Sequence, residues 1–354
     1  MKMFNEAQAR AVLDKVVKLS VADECNASLN GSNAGNIRFA LNNVSTSGIV
    51  SDITLAVSVA FGKRQGTATA NEFDDGSLER VVRRAEELAR LAPENDEYMA
   101  ELEKQTYVAS PTYAQSTADI APEYRAQVAA DSIGPCKTDG LIAAGFLADL
   151  AGFTAFANSK GNFGYQQFTD VNYTCTVRTE DGRGSGWTSS NVEDVNQFNA
   201  ADQVKVAISK AKGSREAKAL EPGKYTVILE PAAAAGLISF MMGDFDARQA
   251  DEGRSFLTRK GGGNKLGEQV FDPRVSIMAD PWNTVAPDNP WDGAGVPRQK
   301  HAIIDKGKVA HLNYSRYWAA KQGKAPSGNF GNLLMAGGTK STADLVKSRR
   351  RASW

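Results

Sequence analysis

Cysteine and histidine are nearly missing from this chain of 354 residues, with three of one and two of the other. Cys25, Cys136 and Cys175 lie far apart without CxxC spacing. So sparse and odd a set excludes a disulfide framework and reads as the reduced thiols of a cytoplasmic protein. Neither sign of charge is in excess, since Lys plus Arg and Asp plus Glu each total 41. No global field therefore draws the chain to nucleic acid or to an anionic membrane. No uninterrupted apolar run approaches the roughly 20 residues that span a bilayer. The amphipathic start, "MKMFNEAQARAVLDKVV", also lacks the apolar stretch of a signal peptide. What remains is an ordinary globular composition, 42% apolar and 23% charged, long enough for two domains.

Helical and strand periods alternate along the chain. Ala9, Val12, Val16 and Leu19 recur at helical spacing. From Ile37 to Phe61 the texture is that of strands, turning at residues 62–66. Ser77 is placed to cap a helix whose inward face is Leu78, Val81, Val82, Ala85, Leu88 and Ala89, with Arg83, Glu86 and Glu87 toward water, and Pro93 ends it. Residues 107–121 read as a linker, and Pro122 opens another helix. A β-rich stretch follows, in which Tyr173, Cys175 and Val177 share one face and Asp181-Gly182 marks a hairpin. Val204, Ala207, Ile208 and Ala211 form the buried side of the next helix. "GKYTVILEP" at 223–231 reads as a strand feeding the apolar helix of "AAAAGLISFMM", and the basic end "VKSRRRASW" reads as a solvated tail. The pattern predicts an α+β protein: an N-terminal α/β domain, then a β-rich C-terminal domain with a mixed or antiparallel sheet. Its expected segments are 1–106, 107–219 and 220–354.

Most chemistry sought in these residues is not carried by them. His301 and His311 flank a hairpin turning at Lys306-Gly307. A regular register puts them on opposite faces, as two surface histidines and a poor chelate. "GSGWTS" at 184–189 only superficially suggests a nucleophile turn, because it does not run into a helix. "KGGGNKLGEQVF" lacks the strand-to-helix setting of a phosphate cradle and reads as a loop. Asp244, Asp246, Asp251 and Glu252 offer carboxylates for hydrolysis, though such clusters are common on solvated loops.

Taken in order, "GSNAGNIRFALNNVSTSG", "DDGSLERVVRRAEELARLAPENDEY", "FANSKGNFGYQQFTDVNYTCTVRTEDGRGSGW" and "VPRQKHAIIDKGKVAHLNYSRYWAAKQGKAPSGNFGN" resemble the TldD/PmbA (TldD/TldE) metallopeptidase family over nearly the whole chain. The resemblance implies a helix bearing His-Glu-x-x-x-His and a later cysteine that completes a zinc site. A five-residue spacing sets the two histidines about 140° apart on a regular helix, so that helix must end or distort between them. Laid on this chain, the motif falls on Ser239 to Asp244. Ser239 and Asp244 take the histidine positions, Phe240 takes that of the glutamate, and Gly243 retains the glycine. Zinc favours imidazole or thiolate, and hydrolysis needs a base; Ser239 and Asp244 offer only hydroxyl and carboxylate oxygens and Phe240 accepts no proton, so "LISFMM" is read as a core helix.

The pattern thus resembles the metal-free TldE/PmbA side of the family. It implies a non-catalytic subunit acting on unfolded or modified peptides, with no cofactor of its own and zinc in a TldD-like catalytic partner. A self-dimer is the other assembly considered, and peptide is expected to lie extended along a sheet edge of the C-terminal domain. Relatives run on past "STADLV", so the stretch holding the family's cysteine ligand is expected to be missing here. Two further readings are a hydrolase working from the acidic loop 244–252 and a non-enzymatic assembly protein descended from the family.

Overall fold

The computed structural model describes residues 3–350. Helices and antiparallel sheets make it α+β. Its contacts divide it into two units, Met1–Lys218 with Thr284–Ala286, and Ala219–Asn283 with Pro287–Trp354.

The first unit is built on six strands in the order β3-β2-β1-β4-β5-β6. These are β1 (Glu24–Ala40), β2 (Asn43–Phe61), β3 (Arg64–Ala70), β4 (Leu141–Asn158), β5 (Phe163–Thr179) and β6 (Ser185–Val192). The helices are α1 (Glu6–Leu19), α2 (Asp75–Leu91), the short α3 (Gln115–Ala118), α4 (Pro122–Thr138) and α5 (Ala200–Ser214). β1 begins well before the expected Ile37. Residues 24–36 are mostly small and polar, the composition of a loop, but they pair on both sides with β2 and β4. The first half of β4 was likewise not anticipated, and the 107–121 linker contains α3.

Odd-numbered residues of β1 all point to one face, and two helix pairs cover that face at separate places. α1 and α2 seal Leu29, Ile53, Leu55 and Phe153 beneath Leu13, Val16, Leu78 and Val82. α4 and α5 seal Ile37, Phe39, Leu147 and Tyr173 beneath Val128, Ile133, Val204 and Ala207. The predicted α5 face, Val204, Ala207, Ile208 and Ala211, is buried, as are Tyr173, Cys175 and Val177. All three cysteines are free and buried, and burial pushes the Cys25 and Cys136 thiols up to about 12.

Two details of α2 differ from expectation. Asp74 is its cap, accepting from the Ser77 backbone N–H at 3.0 Å, because the helix starts at Asp75, two residues before Ser77. Glu86 is buried and faces inward, for reasons its partners make clear below.

The second unit holds α6 (Pro231–Met242), α7 (Ala247–Asp251), α8 (Arg316–Lys321) and α9 (Thr342–Arg350). A four-stranded antiparallel sheet, β10-β7-β8-β9, is formed by β7 (Ile277–Ala279), β8 (His301–Asp305), β9 (Lys308–Val309) and β10 (Leu334–Met335). Its core gathers Phe245, Leu257, Ile277, Ile303, Ile304, Leu312 and Trp318. The expected strand at 223–231 does not form: residues 223–230 join no ladder, and Pro231 already belongs to α6. Strand propensity is expressed only against a neighbour, and among the described residues this stretch has none. Residues 346–350 of the expected tail belong to the helix α9, and 351–354 lie outside the described residues.

Candidate functional site

α6 starts on Pro231, where a missing N–H costs nothing, and ends on Gly243 as the backbone tightens into a 3-10 turn over Gly243–Phe245. It is not the core helix its composition suggests. None of its residues is buried; Leu237 is 61% and Phe240 is 87% exposed. Only Ile238, Met241 and Met242 rest against the core of the unit. The apolar residues run round the helix, so one contact cannot cover them all. Ser239 and Gly243 are exposed beside Phe240, and Asp244 is half-buried in the turn.

The acidic loop is committed to structure. Asp246 caps α7 by accepting from the Gln249 N–H at 2.8 Å. Asp251 accepts from Asn264 and from the Trp318 indole at 2.6 and 2.8 Å. Glu252 pairs with Arg254 and Arg248 at 2.7 and 3.0 Å, and those hydrogen bonds hold its carboxyl below the usual range. Three of the four carboxylates therefore already have cationic or N–H partners and are not held face to face as an acid and base.

The histidines depart from the expected geometry. The turn has the predicted register, with Asp305 opposite Lys308. β9 then ends, and the N–H groups of Ala310 and His311 both donate to the Ile303 carbonyl, at 2.9 and 3.2 Å. Two residues opposite one make a bulge, which reverses the side on which every later side chain falls. His301 and His311 consequently stack, with centroids 4.0 Å apart and planes inclined by 22°, and Phe330 lies against both. They are half-buried, and their Nε2 atoms are sealed without a hydrogen-bond partner among the described residues. Burial lowers both imidazoles, His311 to about 4 with His301 contributing.

These donors do not fit a family-type zinc centre. Ser239 and Asp244 supply hydroxyl and carboxylate oxygens in place of imidazoles, and Phe240 supplies no base. Near-parallel imidazoles also point their in-plane lone pairs side by side, not toward one ion. Among the described residues, no three His, Cys, Asp or Glu side chains are grouped to hold a metal ion.

"GSGWTS" has a different use. Gly186 lies in β6 under α5, where an added Cβ would come within 2.0 Å of the Ala207 carbonyl oxygen. The glycine-rich 260–271 stretch turns at Gly261, Gly262, Gly263 and Gly267, all at positive φ, and leads into no helix.

Comparison with known proteins matches three successive domains of one family. Residues 27–89 match the PmbA/TldA metallopeptidase domain 1, 103–215 the central domain, and 222–352 the C-terminal domain. A metalloprotease of Methanothermobacter thermautotrophicus is 23% identical over 221 residues, 60% of this chain and 47% of that protein. A Methanocaldococcus jannaschii protein of undescribed activity is 28% identical over 195 residues, 54% of this chain and 44% of its own. The chain thus aligns with about half the length of these curated relatives. Among solved structures, TldE from Thermococcus kodakarensis superposes with a TM-score of 0.80 at 17% identity, covering 95% of this chain and 79% of its own. A Thermotoga maritima protein described as a candidate modulator of DNA gyrase superposes at 0.84 with 20% identity, covering 96% and 80%. At such identities the structures speak for the fold alone, while the domain matches span nearly the whole sequence: the chain belongs to the PmbA/TldD metallopeptidase family.

Proposed function

We propose that this chain is the subunit without a metal centre in a PmbA/TldD-type peptidase assembly of the cytoplasm, partnered by a catalytic relative and acting on unfolded or modified peptides. One observation carries the reading. α6 turns an apolar surface outward, and the resemblance lays the family's metal motif on this helix with Ser239 and Phe240 in place of its first two functional residues. A helix apolar all round is ordinarily buried, and an exposed apolar surface of this kind marks an interaction site. The segments 1–106 and 107–219 act as the scaffold, and 220–354 carries the face that meets the partner. Peptide lies extended along a strand edge of that last segment, where backbone pairing tolerates varied side chains.

The test is reconstitution. The purified chain should hold no stoichiometric zinc by elemental analysis and should leave an unfolded protein substrate intact. Mixed with a relative that retains His-Glu-x-x-x-His, it should co-elute and raise the rate of chelator-sensitive cleavage. One tightly held zinc per chain with cleavage by the chain alone overturns the reading, as does a monomer indifferent to both relative and peptide.

A further inference from the structure

Between the two helix pairs, one face of the large sheet is left open. Two cross-strand rows floor the gap. Gly35 pairs with Ile49 on one side and Asp149 on the other, and Asn33 pairs with Ser51 and Ala151. All six side-chain positions point to the same face as the two cores. The 117–120 stretch, including the end of α3, forms a wall, and the cleft encloses about 310 Å³, enough for a small molecule.

One end of the cleft is built at some cost. Arg125 reaches from α4 and lies over Gly35, where a Cβ would come within 1.9 Å of its Nη2. Only glycine admits it there. Its Nε and Nη2 donate to the two carboxylate oxygens of Asp149 at 2.5 and 2.7 Å, with both side chains below 10% exposure. Burying such a pair costs several kcal/mol per ion before attraction offsets it, which is little rewarded if the pair serves packing alone. Among the described residues, no hydrogen bond uses Nη1 of Arg125. In the neighbouring row, Asn33 Oδ1 is sealed from solvent and has no donor, an omission worth about 1–3 kcal/mol.

We infer that this cleft binds a small neutral molecule carrying a carboxamide, whose carbonyl oxygen accepts from Arg125 and whose N–H donates to Asn33. Charge and spacing both select that chemistry. Asp149 already neutralises the guanidinium, so an anion gains little there and meets a carboxylate. Asn33 and Gly35, over which Arg125 lies, are two residues apart along β1, a backbone spacing of roughly 7 Å. An amide, whose acceptor oxygen and donor nitrogen are bonded to one carbon, is of comparable length with a hydrogen bond of about 2.9 Å at each end. The cleft lies wholly within the first unit, and the assignment is independent of the peptidase reading.

Titration of the full chain with N-acetylglycinamide, followed by backbone amide NMR, tests it. Saturable shifts are expected at Gly35, Ser51, Thr117 and Ala151. Asn33→Leu, which removes the acceptor, and Ala151→Leu, which fills the floor, should each weaken binding about tenfold or more. Thermal melts of both variants distinguish lost binding from lost fold, and at least one is expected to melt as the parent does. Acetate serves as the anionic control and should bind more weakly. Shifts that are uniform and unsaturable, binding unchanged in a folded variant, or acetate binding as tightly as the amide would each overturn the assignment.

Discussion

Glu86 shows what a single side chain can hold together. It lies on the inward side of α2 yet is accepted there, because its carboxylate takes hydrogen bonds from the Val21 N–H at 2.8 Å, Arg83 at 2.8 Å and the Ser20 hydroxyl at 3.2 Å. Burial by itself would raise its pKa, but the Val21 and Arg83 bonds and the Ser20 hydroxyl outweigh it and hold the carboxyl below its ordinary value. Glu86→Ala is expected to cost about 2 kcal/mol in urea unfolding. Since the folded pKa is the lower one, that contribution is complete above the ordinary carboxylate range and disappears as pH falls through the folded value. The penalty of the variant should therefore shrink in acid. His311 works in the opposite sense. Unfolded, it takes a proton near 6.5; folded, burial delays that to about 4. Between these values the unfolded chain holds more protons, so stability falls as pH drops through the window. His311→Phe keeps a ring against His301 without that titration, and its stability should be flatter between about pH 7 and about pH 4.5, measured by denaturant melts.

At the scale of elements, the distance between helix and sheet is set where side chains are lacking. β6 approaches α5 at Gly186, and β3 approaches α2 at Gly66, where an added Cβ would meet the Ala89 nitrogen at 2.2 Å. Both neighbours are backbone and cannot swing aside. Gly186→Ala should lower stability by about 1–3 kcal/mol through overpacking. Gly236, within α6, is the converse case, for it is exposed and a Cβ there meets nothing within 4 Å. Gly236→Ala should raise stability by about 0.5–1 kcal/mol through lost unfolded-state entropy and better helix propensity. Thermal melts of the two variants should therefore shift in opposite directions.

For the whole molecule, the proposed association is tested at the exposed apolar surface of the second unit. Leu237 and Phe240 stand largely in water. Replacing both with Asp should leave the melting midpoint nearly unchanged, since surface substitutions seldom exceed about 0.5 kcal/mol. The same double variant should reduce self-association or co-elution with a catalytic relative in light-scattering chromatography. A loss of folded protein would instead show that the helix contributes to the core.

The sequence by itself determined much of the local structure. Apolar spacing fixed the inward faces of α2 and α5, Asp181-Gly182 turned its hairpin, and ordered motifs spanning the chain gave the family. The side chains at 239–244 are likewise legible without coordinates, since the donor atoms a residue type carries do not depend on the fold. Tertiary structure decided what depends on neighbours. Residues 24–36 became a strand because partners lay on both sides, whereas 223–230, better suited by propensity, found none. A single extra residue at Ala310 stacked two histidines that regular alternation separates. Glu86 turned inward because the Val21 N–H and the Ser20 hydroxyl, just past the end of α1, donate to it. The open cleft between the helix pairs was beyond any one-dimensional pattern: Asn33, Arg125 and Asp149 are scattered along the chain, and only strand register and a glycine-sized gap bring them to one face.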